Sequence, residues 1–500
     1  MASKTQTPET NVDVLVIGAG ISGINAGYRI QEAFPQWSYA ILEAREELGG
    51  TWSLFQYPGI RSDSDLHTFG FPWDPWTEER PIADGPSILK YMKTVAAKHG
   101  IDQHIKYHHS VTKLEWASEE QRWTIEVTAH GTEKKTYFSK FVFVGTGLYD
   151  YQEGLRSTIP GIENFEGTVV HPQFWPPDLN YDNKNMVIIG SGATAITLLP
   201  SLIDRAAFVT MLQRSPSYLY TAPEHDPLDN LIRRFCPDRW VYKTLRWKYI
   251  LGFLVFYKFS TRFPEAAKKF LRKSTESQLP ANVPFDPHFV PNYNPWDQRM
   301  CITPHGDFFA ALRTGKSDIV TDHIDTVDKT GIILKSGARL DADIIVTATG
   351  LKLLLFGKVK IVVDGKPIDY SDKFVWKGSA LQDVPNLFFA FGYTNASWTL
   401  GADVATMLFL RVVKEMQKRG VQCIVPTIQT PGSVKEVPWL NLSSNYVQRA
   451  VKERRLSKAG DIAPWKPRSS YIQDYLPLVW GSDVTAGLRF GPPPHAVRKS

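Results

Sequence analysis

Two kinds of apolar pattern recur along this chain. Residues 12–17 (Val-Asp-Val-Leu-Val-Ile) and 186–189 (Met-Val-Ile-Ile) are short β-branched runs, the pattern of a buried parallel strand. Each runs at once into a glycine-rich turn and then into helical spacing, which after the first turn passes through Ile24, Tyr28 and Ile30. Further strands are expected at 38–42, 111–116, 123–127, 141–144, 208–212, 341–346 and 386–391. Helices are expected at 86–99 (Ser87, Leu89, Tyr91, Met92, Val95), from Trp398 to about Gln417, and at 446–455. Strands alternating with helices define an α/β chain. Residues 220–290 break the rhythm, because 233–235, 240–247 and 249–259 read as helices rich in aromatic and basic residues.

The turns carry the first chemistry. In Gly18-Ala19-Gly20-Ile21-Ser22-Gly23, Gly18 permits the tight turn and Gly20 lets backbone N–H groups approach a pyrophosphate. Gly23 allows close helix–strand packing, and the helix N-terminus favours the negative charge. The next strand ends at Glu43, twenty residues after Gly23, where an acid holds a ribose hydroxyl. Gly190-Ser191-Gly192-Ala193-Thr194-Ala195 is a second such turn, G-x-G-x-x-A. Its following strand ends in Gln213-Arg214 rather than in an acid. An Arg fork pairs with a 2′-phosphate, so this turn reads as a site for NADPH.

Composition adds limits. At 500 residues the chain forms two or more domains with substantial cores. Cys236, Cys301 and Cys423 are too far apart for a disulfide framework, a CxxC redox pair or a metal cluster, so no metal is expected. The polar start of the chain, 1–10, has no apolar signal core, no run of 18 apolar residues exists, and Arg498-Lys499-Ser500 is not a peroxisomal address. A cytoplasmic setting is the expectation, with the sequons at Asn395 and Asn441 unused. Net charge is +6, but residues 231–275 hold twelve Lys/Arg against two acids. No helix-turn-helix, zinc or RNP-like pattern accompanies these bases, which argues against nucleic acid. Two readings stay open for this stretch: a helical cap on the nucleotide domain, or a basic surface helix in weak peripheral contact with a membrane.

Between the turns lies Phe165-x-Gly167-x-x-x-His171-x-x-x-Trp175-Pro176. This run resembles the signature of the flavin-dependent Baeyer–Villiger monooxygenases, of class B and type I. Gly49-Gly50-Thr51-Trp52 with Tyr57-Pro58-Gly59-Ile60-Arg61-Ser62-Asp63 resembles a second motif of that family at every fixed position. The turns Gly145-Thr146-Gly147 and Ala348-Thr349-Gly350 resemble the closing turns of two-dinucleotide flavoproteins. The run Pro295-Trp296-Asp297-Gln298-Arg299 resembles the branch that contains the ethionamide-activating monooxygenases. Gln298 departs from the Lys common at this point, which leaves NADPH selectivity mainly to Arg214.

The resemblance spans roughly residues 10–470 and implies an FAD domain in two segments, 1–155 and 341–440. Between them would lie an NADPH domain, 156–340, with a helical insertion at 220–290; 441–500 would be a tail. Connectors near 148–185 and 330–345 would act as hinges. Thr51 and Trp52 would lie along the flavin, Asp63 near its ring, and Arg61 and Val111 among the cofactor contacts. Arg299 would supply the catalytic positive charge, held by Asp63, while His171 and Trp175 couple the NADPH domain to the flavin. The N-terminus of the helix opening at Trp398 would face the flavin pyrimidine. The implied reaction uses NADPH and O₂ to convert a ketone to an ester or lactone through a flavin C4a-peroxide, with sulfides as a side substrate and a monomer or dimer as the working form. The alternatives are an N- or S-oxygenating flavin monooxygenase, whose members carry Tyr or Phe at the place of Trp175, and a flavoprotein that binds both nucleotides without oxygenating anything.

Overall fold

A computed structural model of the chain describes residues 10–223, 226–440 and 442–491. The polar start through Glu9, the acceptor Asn441 and the terminal Arg498-Lys499-Ser500 lie outside the described residues.

The larger sheet has eleven strands. At its centre Asn11–Ile17 pairs in parallel with Tyr39–Leu42 on one side and with Glu133–Val144 on the other. Residue alternation sends Val14 and Val16 into one core and Leu15 and Ile17 into the opposite one, so both faces are covered. Glu133–Val144 changes partner along its length. Its first half pairs antiparallel with Arg122–Ala129, and its second half pairs in parallel with Asn11–Ile17. Burial follows: alternating early, continuous over the last four residues. From far along the chain, Leu387–Phe389 joins this sheet in parallel with Val142–Val144. Helix Trp398–Arg419 then packs on helix Ile21–Ala33, where the Arg29 Nε donates to the buried Asp403 carboxylate at 2.9 Å.

The smaller sheet has five parallel strands in the order Ser317–Thr321, Phe208–Gln213, Asn185–Ile189, Ile344–Thr347, Thr168–Val170. This corrects one expectation. The strand after Asp341 was assigned to the second FAD segment, but Ile344–Thr347 sits between Asn185–Ile189 and Thr168–Val170. Its four residues face two apolar partners, and only after Ala348 does the chain cross back. The expected connector at 330–345 is likewise structured, because Gly331–Leu334 and Arg339–Asp341 form an antiparallel sheet with Ile324–Val327. The crossings run side by side elsewhere. Tyr149 bridges Leu353, the Asp150 N–H donates to Lys352 O at 2.8 Å, and the Leu354 N–H donates to Leu148 O at 2.9 Å.

Two more expectations change. Among the described residues of 220–290, α-helix covers Pro227–Phe235, Asp238–Arg262 and Pro264–Glu276 and not the rest. The start of this stretch, Leu219–Ala222, is a strand paired with Cys301–Pro304. The tail is part of the larger lobe. Helix Asn445–Lys452 buries Val447 and Ala450, Trp465 is buried in the core, and Leu488–Phe490 pairs with Ile424–Pro426.

The long helix Asp238–Arg262 is fixed to the larger lobe by Arg246. Its Nη1 donates to the carbonyls of His67 (2.9 Å), Thr68 (3.2 Å) and Gly70 (2.9 Å). Arg246→Met keeps the stem but leaves these carbonyls unpaired, at about 1–3 kcal/mol for a buried unsatisfied group. A fall in the thermal midpoint with faster amide exchange at 66–70 is expected; unchanged values would show that Arg246 is not the anchor.

Candidate active site

The two glycine turns face one cavity of about 970 Å³, lined by Gly18, Gly20, Ser22, Gly190, Ser191, Gly192, Ala193 and Thr194 among others. The turns are built alike. Gly18 has φ +95° and abuts Gly145, and Gly190 has φ +141° and abuts Ala348. A Cβ on Gly190 would lie 2.2 Å from Ala348 O, so each closing turn is packed against the glycine that opens the nucleotide loop. A Cβ on Gly23 would lie 1.9 Å from Gly18 O, which accounts for glycine there. By contrast, the space beside Gly20 and Gly192 is open: a Cβ on Gly20 would come no closer than 3.6 Å to Gly50, and one on Gly192 would meet nothing within 4 Å. Two open cradles at two helix N-termini fit the pyrophosphates of two dinucleotides.

Glu43 is buried and lines the cavity. Its Oε2 accepts from the Ala19 N–H at 2.7 Å and its Oε1 from the Arg45 N–H at 3.0 Å. These bonds aim the carboxylate while leaving lone pairs for a ribose hydroxyl. Ala19 and Gly23 therefore shape the loop without lining the cavity. Arg45, which the sequence reading missed, donates to Ser53 Oγ at 2.7 Å and to Gly50 O at 3.3 Å, and so supports the Gly49–Trp52 turn. Thr51, Trp52 and Val111 line the cavity as expected. Also missed was Tyr151, which shares a 3.1 Å hydrogen bond with Thr51 Oγ1; burial pushes its hydroxyl up to about 12, so it stays protonated. Trp398 donates its indole N–H to Ser22 Oγ at 2.9 Å, and with Thr394 and Ala396 it opens its helix onto the cavity. The sequence places this helix N-terminus toward the flavin, but no local signal marks the indole's contact with Ser22, 376 residues away.

Arg299 is exposed to the cavity and makes no ion pair among the described residues; its Nη2 donates to Tyr393 O at 3.4 Å. Asp63 lines the same cavity, and burial raises its carboxyl above the ordinary range against the pull of the Arg299 and Arg61 charges. The expectation that Asp63 holds Arg299 is corrected: no hydrogen bond or salt bridge joins them, and the coupling is through space. Arg61 does line the cavity, but its guanidinium is engaged by Asp307 and donates to Ile302 O at 3.4 Å, tying the Tyr57–Asp63 loop to the smaller lobe.

Arg214 is exposed, lines the cavity as do Gln298 and Arg299, and makes no hydrogen bond or ion pair among the described residues. Gln213 is buried instead, donating to His288 O at 2.7 Å and Thr321 Oγ1 at 2.9 Å, so its side chain orders the strand end and does not reach the cavity. Ala195 is likewise core. His171 and Trp175 stand outside the cavity. His171 Nδ1 accepts from the Gln173 N–H at 3.2 Å, burial keeps the imidazole below its ordinary value, and its ring lies over Gly154. Trp175 packs on the smaller lobe's core and meets the Tyr181 ring edge-on at 6.3 Å. Both pack within the connector between the lobes.

Two glycine cradles on two sheets, sharing one cavity with an unpaired arginine, define a flavoprotein with two dinucleotide sites. A family model described as pyridine nucleotide-disulphide oxidoreductase matches residues 15–226. The chain belongs to the family of FAD-containing monooxygenases. It is 44% identical over 489 residues to the FAD-containing monooxygenase EthA of Mycobacterium tuberculosis, covering 97% of this chain and 99% of that one. It is 40% identical over 467 residues, 93% of each chain, to the probable FAD-binding monooxygenase AlmA of Acinetobacter baylyi. Among solved structures, an oxidized steroid monooxygenase bound to NADP superposes with a TM-score of 0.71 at 20% identity, over 97% of this chain and 100% of that one. Cyclohexanone monooxygenase from Rhodococcus sp. Phi1 bound to NADP+ gives 0.71 at 18% identity, over 97% and 100%. These two likenesses show the fold.

Proposed function

We propose that the chain is an NADPH-dependent Baeyer–Villiger monooxygenase that converts ketones to esters or lactones. The observation that carries this reading is Arg299: a cation without an ion pair, open to the cavity that both nucleotide turns line. The larger lobe, up to residue 155 and again after 348, would hold FAD. Residues 156–347 would hold NADPH. The loop 18–23 would place backbone N–H groups on the FAD pyrophosphate, and Glu43 would accept from a ribose hydroxyl. Arg214 would pair with the 2′-phosphate. Bound FAD supplies the redox and oxygen chemistry. The chain's own residues bind, orient and exclude water, and Arg299 stabilises the negative charge that develops on oxygen. Asp63, which lines the same cavity, tunes that charge through space.

A panel of linear, cyclic and aryl ketones under ¹⁸O₂ tests the reading. An ester carrying one ¹⁸O atom is expected, and NADPH oxidation yielding only hydrogen peroxide across the panel would overturn it. Trp175, the position that separates ketone oxygenases from N- and S-oxygenating relatives, stands outside the cavity, so it bears on substrate choice only through the connector. Sulfides therefore belong in the panel.

Coenzyme choice is a separate test. Arg214→Ala removes one charge-assisted phosphate contact, worth about 1.5–3 kcal/mol, or roughly tenfold to over a hundredfold in NADPH affinity. NADH use should barely change. Equal weakening of both coenzymes would show that Arg214 does not read the 2′-phosphate.

A further inference from the structure

The first two helices of the 227–276 insertion each leave an apolar row uncovered. On Pro227–Phe235 the row is Leu228, Leu231 and Phe235, spaced three and four apart. On Asp238–Arg262 it is Leu251, Val255 and Phe259, spaced four apart. Phe263 and Phe270 continue it onto Pro264–Glu276; the Phe259 and Phe263 rings lie 6.3 Å apart. Phe235 is 70% and Val255 67% exposed, values that a soluble cap packed on its own domain would not need. Loose placement does not explain the exposure, since Arg246 fixes the long helix to three carbonyls and Lys248 is held by Asp226 and Asp229.

The charges around these rows are predominantly basic, since residues 231–275 hold twelve Lys/Arg against two acids and the acids Glu265 and Glu276 are each paired with a base. Lys258, Arg262, Lys269 and Lys273 make no ion pair among the described residues. Arg234 lies over the Phe235 ring, and Arg239 and Lys243 over Trp240, so cations sit directly beside exposed aromatics. Aromatic and aliphatic residues with a surround of unpaired Lys and Arg match an anionic bilayer interface, where side chains enter the acyl boundary and bases meet headgroup phosphates. A second copy of this chain would bring the same positive surround against itself, which disfavours self-association through this face. None of the described helices is long and apolar enough to cross a membrane, so contact would be superficial.

We infer that the 227–276 insertion is a docking face for the surface of an anionic lipid bilayer. This inference is independent of the reaction, because none of these side chains belongs to the machinery assigned above.

The test is co-sedimentation of the full-length, FAD-loaded protein with vesicles of phosphatidylcholine alone or with about a quarter phosphatidylglycerol, at about 0.02 and 0.15 M salt. Binding to the anionic vesicles only, weaker at the higher salt, is expected. Lys258→Glu with Arg262→Glu should reduce partitioning at least about tenfold, since each base near such a surface contributes roughly fivefold. Val255→Ser with Phe259→Ser and Phe263→Ser should also abolish sedimentation at the higher salt. Both variants should keep their flavin and their NADPH oxidation rate, which shows that they are folded. Absence of binding to anionic vesicles at both salts would overturn the inference. So would binding that neither variant weakens. A serine variant that turns a dimer into a monomer in sedimentation velocity, with no lipid bound by either form, would assign the face to a second copy instead.

Discussion

Arg299→Ala should lower ketone oxygenation by at least about 10²-fold, the scale for removing one preorganised charge-stabilising group. Oxygen transfer builds negative charge on oxygen, and an anion without a cationic partner is costly wherever bound reactants displace water. Arg299 faces the cavity with no ion pair among the described residues to compete for its guanidinium. Hydride transfer from NADPH depends on stacking that the two glycine turns arrange, so flavin reduction should fall less. Reduced enzyme should then release hydrogen peroxide. Stopped-flow absorbance follows reduction, a peroxidase assay follows the peroxide, and chromatography follows the ester. The Asp63 carboxylate couples to Arg299 through space, so charge rather than position carries its effect. Asp63→Asn should therefore match Asp63→Ala, with a smaller loss than that of Arg299→Ala. Near wild-type ester formation by Arg299→Ala would sink the assigned role.

Gly20→Leu should yield protein that folds but copurifies with little FAD. A Cβ at this position meets nothing nearer than Gly50 at 3.6 Å, so the fold has room for the branch. The same branch fills the space through which the backbone must approach a pyrophosphate. Losing two charge-assisted backbone contacts, at about 1.5–3 kcal/mol each, weakens FAD binding by at least about 100-fold. Gly23→Ala is the contrasting variant. Its Cβ would lie 1.9 Å from Gly18 O, so the loop itself must move, and stability should fall together with FAD content. Flavin absorbance per protein and the thermal midpoint of the stripped proteins separate the two cases. A Gly20→Leu protein with full FAD would refute the placement of the cofactor.

The parts of the site legible in the sequence are those whose chemistry is local. Both glycine turns, the acid at Glu43, the arginine at Arg214 and the closing turns after 144 and 347 each sit a short, set distance from a strand end. Backbone geometry alone then decides where they point. The readings that failed depended on partners distant in sequence. Gln213 looked like a cofactor contact by adjacency to Arg214, yet strand alternation turns it into the core, where Thr321 and His288 take its amide.

Strand identity was likewise readable from β-branched runs, whereas strand membership was not. The run at 344–347 is equally apolar for either sheet, and only pairing with Asn185–Ile189 and Thr168–Val170 assigns it to the smaller one. The tail carries too few periodic positions to predict its return to Ile424–Pro426. By itself, then, the sequence determined the α/β class, the two dinucleotide turns and the cation set against them, because these rest on backbone conformation and on charge at fixed spacing. Tertiary structure alone decided which sheet each strand joins and which side chains reach the shared cavity. It also decided that a basic, aromatic insertion is pinned at Arg246 with its apolar rows facing outward. Those outcomes depend on contacts between residues up to hundreds of positions apart, and no local pattern encodes them.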